Sequence, residues 1–198
     1  LTLKNWIAYK DVNHIKFSTN KDKKITLIRG ANQRGKTSII RALKWVLYGD
    51  AGEVKEFTKP FELLNRVAKR NGEYKLQVAL YLKKDKDKIE ITRSLQPRPG
   101  VSEPKNSDFE SPHLAIKENG SAITQDPEKY IKALLPKEIH SFFLFDGEKL
   151  KDYKELVLQA DSSTDLKEQI EKVIQTPYLR SAITDLKQIN YKIAQNTK

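Results

Sequence analysis

Apolar and polar residues alternate over Leu3–Tyr9 and again over Asn13–Phe17, the period-two pattern of half-buried strands, and the polar cluster Asn20–Lys24 that follows reads as a turn. The apolar run Ile25-Thr26-Leu27-Ile28 predicts a buried strand. It leads directly into Gly30-Ala31-Asn32-Gln33-Arg34-Gly35-Lys36-Thr37, after which Ile39, Ile40, Leu43, Val46 and Leu47 recur at helical spacing until Gly49. Strand, glycine-bounded loop and helix are therefore contiguous.

Further along, residues 53–71 predict a second short helix with Phe61, Leu63, Leu64 and Val67 as its apolar positions. Alternation over Tyr74–Leu82 and from Ile89 to Leu95 predicts a β-hairpin over about 73–95, with the polar tip Lys83-Lys84-Asp85-Lys86-Asp87-Lys88. Residues 97–113 hold four prolines and few apolar residues, so they predict a surface loop that is a poor candidate for core. A small hairpin is expected around Asn119-Gly120. Asp126-Pro127 then opens a helix as N-cap and first residue, with Tyr130, Ile131, Leu134 and Leu135 on one face, and Pro136 closes it. Phe142-Phe143-Leu144-Phe145 enters Asp146-Gly147-Glu148-Lys149. Beyond it, apolar stripes over Leu166–Ile174 and Leu179–Ile193 predict helices that end mid-pattern, as the root of a coiled coil does.

Composition narrows this picture. With 38% hydrophobic residues in 198, the chain can build a core, and no run reaches the roughly 18 apolar residues of a membrane span. The absence of cysteine rules out disulfides, thiolate metal sites and Cys nucleophiles, and a cytoplasmic location is expected. Net charge is +11, and it is uneven: residues 1–100 carry 23 basic against 10 acidic side chains, the remainder 14 against 16. Such an excess points to polyanionic partners.

Gly30–Thr37 fits G-x-x-x-x-G-K-T in full. The chemistry of a magnesium nucleotide assigns the roles: backbone N–H groups of Gly30, Ala31, Asn32, Gln33, Arg34, Gly35 and Ser38 surround the phosphates, Lys36 reaches the β/γ oxygens, and the Thr37 hydroxyl ligates Mg²⁺. ATP and Mg²⁺ are the expected cofactors. Kinases, GTPases and mechanical ATPases all carry such a loop, so it does not say what the nucleotide drives.

The flanking residues add a resemblance. Leu3-x-Asn5-Trp6-x-x-Tyr9 before the loop resembles the N-terminal half of an SMC-like ABC ATPase head, the group containing RecF, RecN and SbcC. Ala42–Gly49 and then Phe142–Leu150 resemble the DndD family, ATPases of bacterial DNA phosphorothioation and restriction systems, with its relatives in phage defence. The resemblance implies an α/β P-loop fold. Residues 1–150 would be an ATPase lobe with an antiparallel β-subdomain, and 151–198 a helical extension into a coiled coil. It further implies an ATPase that needs a C-terminal half of the same head, a homodimer, DNA as client and proteins of a modification or defence system as partners, with no membrane. Three positions depart from the family: Gln33 stands where glycine is usual, Arg34 where a small residue is, and Ile7 where a basic one is, with Lys10 nearest.

Two readings compete for Asp146. The run Phe142–Phe145 ending in an acid resembles a Walker B strand, whereas in the resembling family this segment, 142–150, is the counterpart of the Q-loop. Both put Asp146 near the metal, and a plain core strand followed by an Asp-Gly turn is the structural alternative. Lys83, Lys84, Lys86 and Lys88 at the hairpin tip, and Arg66, Lys69 and Arg70 on the short helix, are candidate DNA-backbone contacts or solvated charge. Trp6 and Trp45 belong to the core. A nucleotide-binding interaction module, a repair ATPase of RecF or SbcC type and a small-molecule kinase are the other readings of the same loop.

Overall fold

The computed structural model describes residues 1–20, 22–32, 34–50, 59–136, 144 and 186. The chain divides into two units, Leu1–Leu134 and Leu135–Lys198, and every element below lies in the first. Phe142, Asp146, Gln33 and, apart from Leu186, the coiled-coil stripes fall outside the described residues.

Among the described residues six strands form one antiparallel sheet in the order β2-β1-β3-β4-β5-β6: β1 Thr2–Trp6, β2 Tyr9–His14, β3 Leu76–Lys84, β4 Asp87–Leu95, β5 His113–Glu118 and β6 Ser121–Ile123. The long hairpin lies where alternation predicts it, with Lys84 opposite Asp87 beside its turn. Side chains alternate across the sheet. Leu76, Val78 and Leu80 of β3 and Ile89, Ile91 and Leu95 of β4 are buried on one face, against which helix α1, Lys36–Tyr48, packs. Gly49 ends α1 in the left-handed region (φ 71°), where glycine is favoured, and its N–H returns to the Trp45 carbonyl at 2.8 Å.

Two tryptophans join sheet to helix. Trp6 from β1 and Trp45 from α1 are both buried, with ring centroids 5.0 Å apart, and Trp6 Nε1 donates to the Ser38 carbonyl at 2.9 Å. At the other end of α1 stands Arg93, on the buried face of β4 and only 4% exposed. Its Nε donates to the Val46 carbonyl at 3.2 Å and its Nη2 to the Leu47 carbonyl at 3.3 Å, while Nη2 lies 3.1 Å from Glu128 Oε1. The guanidinium thus satisfies the open carbonyls of a helix C-terminus, where positive charge is favourable. Glu128 belongs to α4, Pro127–Leu134, whose Asp126 side chain accepts from Lys129 N as the N-cap reading expects.

Several expectations are corrected. Ile25–Ile28 forms no strand and is not buried: Ile25 is 88% and Leu27 71% exposed. A strand needs a neighbour to complete its hydrogen-bond ladder, and none of the six described strands runs beside it. The single helix expected over 53–71 is, in its described part, two short ones, α2 Pro60–Leu63 and α3 Arg66–Arg70. Leu64 bridges to Trp6 between them, and the Asn65 side chain caps α3 by accepting from Val67 N and Ala68 N. The proline-rich loop does contribute to the core, because Phe109 is buried and meets the Phe61 ring edge-on at 5.4 Å.

Burial of Arg93 sets a clear expectation for stability. Arg93→Leu leaves two helix carbonyls without their donor and should lower the unfolding free energy by about 2–4 kcal/mol in urea denaturation. Glu128→Gln, at a half-exposed carboxylate, should cost under about 1 kcal/mol. Equal losses would mean that the ion pair, and not the carbonyl bonds, holds the helix end.

Candidate functional site

The phosphate-loop motif sits where the chain enters α1, and the turn between β1 and β2 holds it there. This turn is built from strained backbone. Asn5 and Ile7 have φ of 51° and 42°, a region that β-branched residues rarely adopt, and the strands' pairing shifts register between Lys4 and Trp6. Each is tied from several sides. Asn5, buried, donates through Nδ2 to Glu73 and to the Lys75 carbonyl, and its Oδ1 accepts from Asp11 N at 2.8 Å. Ile7 N donates to the Leu63 carbonyl, and the Ile7 carbonyl accepts from Asn65 Nδ2, both at 2.8 Å.

The turn so fixed carries Ala8 and Tyr9 against Gly35. Gly35 has φ 90°, and a Cβ added there would lie 2.9 Å from Ala8 Cβ and 3.3 Å from the Tyr9 ring. Glycine is required on both counts. The Tyr9 hydroxyl donates to the Gly35 carbonyl at 3.2 Å, and burial pushes its pKa above the usual 10.0. With Trp6 bonded to Ser38, two donors from one hairpin hold the loop and the first turn of the helix.

At that end α1 has no side-chain cap among the described residues, and no acidic residue in its first turn. Its N–H groups and the positive end of its dipole are thus left for an anion. Lys36 Nζ lies across the loop, donating to the Gly30 carbonyl at 2.7 Å and the Ala31 carbonyl at 2.9 Å. Thr37 is half-buried and Ser38 buried, while Gly30, Ala31, Asn32 and Arg34 are exposed. Open N–H groups, a lysine on the loop and a glycine contact that admits no side chain together fit a nucleotide's phosphates. Thr37 is the hydroxyl available to a magnesium ion. Lys10, nearest to the basic position of the resembling family, instead pairs with Asp11 at 3.4 Å.

The candidate DNA contacts separate into groups. Lys69 Nζ stands 3.6 Å over the Phe61 ring, while Arg66 and Arg70 are exposed on the same short helix. Lys84 faces Asp87 across the hairpin, and Lys86 lies in the turn. Lys83 and Lys88 are direct cross-strand partners on the face away from α1. Sequence alone gives Arg93 no role, although it replaces an apolar residue in the stripe Ile89-x-Ile91-x-Arg93-x-Leu95, and it leaves Tyr9 between a place close to the nucleotide and a packing role.

A family model for the AAA domain matches residues 1–198, and the chain belongs to that family, whose members are generally ATPases. Comparison with curated proteins gives no match. Among the described residues no helix is long and apolar enough to cross a membrane.

The contact between hairpin and loop makes the site sensitive to small changes outside the phosphate-binding groups. Gly35→Ala should weaken binding of a fluorescent ATP analogue by at least about tenfold, because both its dihedral and its contact with Ala8 must change. Tyr9→Phe keeps the ring and removes one hydrogen bond, so affinity should fall by about two- to tenfold with little change in thermal stability. An unchanged affinity in both variants would detach the hairpin turn from the loop's function.

Proposed function

We propose that this AAA-domain chain binds ATP with Mg²⁺ and forms the N-terminal lobe of a composite ABC-type head, whose ATP-driven engagement acts on DNA in bacterial modification, restriction or phage defence. The observation that carries nucleotide binding is the placement of Lys36. Its ammonium is held on two loop carbonyls at the uncapped end of α1.

Binding then follows from the residues present. Incoming phosphate oxygens take over Lys36 from the Gly30 and Ala31 carbonyls, exchanging two neutral acceptors for charge-assisted bonds. The open N–H groups of the first turn of α1 complete the anion's shell. Trp6 and Tyr9 keep the helix end from moving as this happens. Thr37 and, on the resemblance, Asp146 would hold Mg²⁺, which would supply neutralisation of the phosphate charge. Turnover depends on positioning and charge stabilisation, with the remaining groups coming from a C-terminal half and a partner head.

Support for a composite head comes from the exposed apolar segment Ile25–Ile28, which leads into the loop and has no sheet neighbour among the described residues. A second polypeptide segment pairing there would complete the strand that the sequence pattern predicts. DNA as the client rests on the basic N-terminal half and on the likeness of Phe142–Leu150 to the DndD family.

Titration with a fluorescent ATP analogue tests the reading. Lys36→Ala should reduce affinity by at least about tenfold, the loss of charge-assisted bonds to phosphate. Equal weak binding by the natural chain and the variant would reduce the domain to an interaction module. Hydrolysis by this chain alone should be slow and should rise when a C-terminal half and DNA are added.

A further inference from the structure

The face of the sheet turned away from α1 carries a second concentration of cations that the phosphate loop does not use. Cross-strand register assembles it. Lys83 on β3 stands directly opposite Lys88 on β4, and in the next row Tyr81 stands opposite Glu90, which stands opposite Lys117 on β5. Like charges placed directly opposite destabilise a strand pair. Among the described residues none of these three lysines has a carboxylate within ion-pair distance. Tyr81, 56% exposed, stands next to Lys83 along the same face of β3, and Glu90 stands between it and Lys117.

These side chains line a shallow pocket of about 470 Å³, with Thr19 and Gly120 at its margin. That volume falls in the range of small-ligand sites. The pocket is also separate from the ATP site. Lys4, two residues from Trp6, pairs with Gln77, and Lys83 is six residues further along β3, about 20 Å at the rise of a strand. One nucleotide cannot serve both.

We propose that this open face binds single-stranded nucleic acid, with Tyr81 as the surface on which a base stacks and Lys83, Lys88 and Lys117 as contacts to the backbone phosphates. An exposed aromatic ring beside unpaired cations is the combination that single-strand binding uses, since every base has a face to stack and every phosphate a charge to neutralise. Duplex DNA keeps its bases stacked on one another and would leave Tyr81 unused. Glu90, the acid in the pocket lining, is an acceptor for a base amino group and not a phosphate contact. This deepens the DNA engagement proposed above and rests on that reading. It assigns the contact to the open sheet face in preference to the α3 cations, of which Lys69 is already engaged with Phe61.

Fluorescence anisotropy of the full chain with labelled oligothymidylate, oligouridylate and a duplex, over a series of salt concentrations, tests it. Single strand should bind more tightly than duplex. In the triple variant Lys83→Gln, Lys88→Gln, Lys117→Gln, the slope of log affinity against log salt should flatten by about two. Tyr81→Ala should weaken binding at least about fivefold at each salt concentration. Both variants should retain the natural chain's affinity for a fluorescent ATP analogue, which shows that they fold. A triple variant with unchanged affinity and slope would overturn this surface while leaving DNA engagement standing. Tighter binding of duplex would overturn the single-strand assignment. Tighter oligouridylate binding, lost in the variants, would keep the surface and overturn DNA as its client. Failure of the natural chain to bind any of the three would overturn both the surface and the DNA part of the proposed function.

Discussion

The bond from the Trp6 indole to the Ser38 carbonyl is the constraint on which this domain turns. A helix that must present free N–H groups to an anion cannot be secured by capping those groups, so its first turn has to be held through its carbonyl side and its packing face. Trp6 does both, donating to Ser38 and lying against Trp45 two turns further on. Because Trp6 is on β1, whatever fixes β1 fixes the helix. The buried Asn5 and the left-handed Ile7 therefore help to fix the start of α1 through β1.

The sheet has two ends with different chemistry. At one, the β1–β2 turn and Gly35 form a tight, side-chain-free junction in which glycine, tyrosine and backbone fit within van der Waals distance. At the other, the β3–β4 hairpin presents charged side chains with little packing around them. Between these ends runs a continuous apolar face, Val78, Leu80, Ile89 and Ile91, that excludes water and keeps the two in fixed relation. Their separation follows from strand length alone.

Much of this was legible in the sequence because alternation and caps are local signals. The long hairpin, the Gly49 stop and the Asp126-Pro127 start each depend on a few consecutive residues. The failures share one cause, the need for a partner distant in sequence. Ile25–Ile28 is apolar enough for burial, but burial requires a surface to pack against. Phe109 lies in a loop rich in proline and polar residues and enters the core only because Phe61 is there to receive it. The Tyr81 and Lys117 row exists only through β4, which sets both registers. Asn5 gives no sign in sequence of being buried, since its four bonding groups are supplied by residues at 11, 65, 73 and 75. Asp146 lies outside the described residues, so its two readings stand as the sequence left them.

Gly49 does more than end a helix. A Cβ there would come within 3.2 Å of Arg93 Nη1, so the stop residue also makes room for the side chain that binds the last carbonyls. The consequence is a gauge on helix length. With Trp6 reading the position of Ser38 and Arg93 that of Val46 and Leu47, both from one rigid sheet, the helix has a single permitted count of residues between its two fixings. An insertion or deletion of one residue would turn the far end by about 100° relative to the near one and present side chains to Arg93 in place of carbonyls. The thirteen residues of α1 are thus set by the spacing of two side chains on the sheet beneath it.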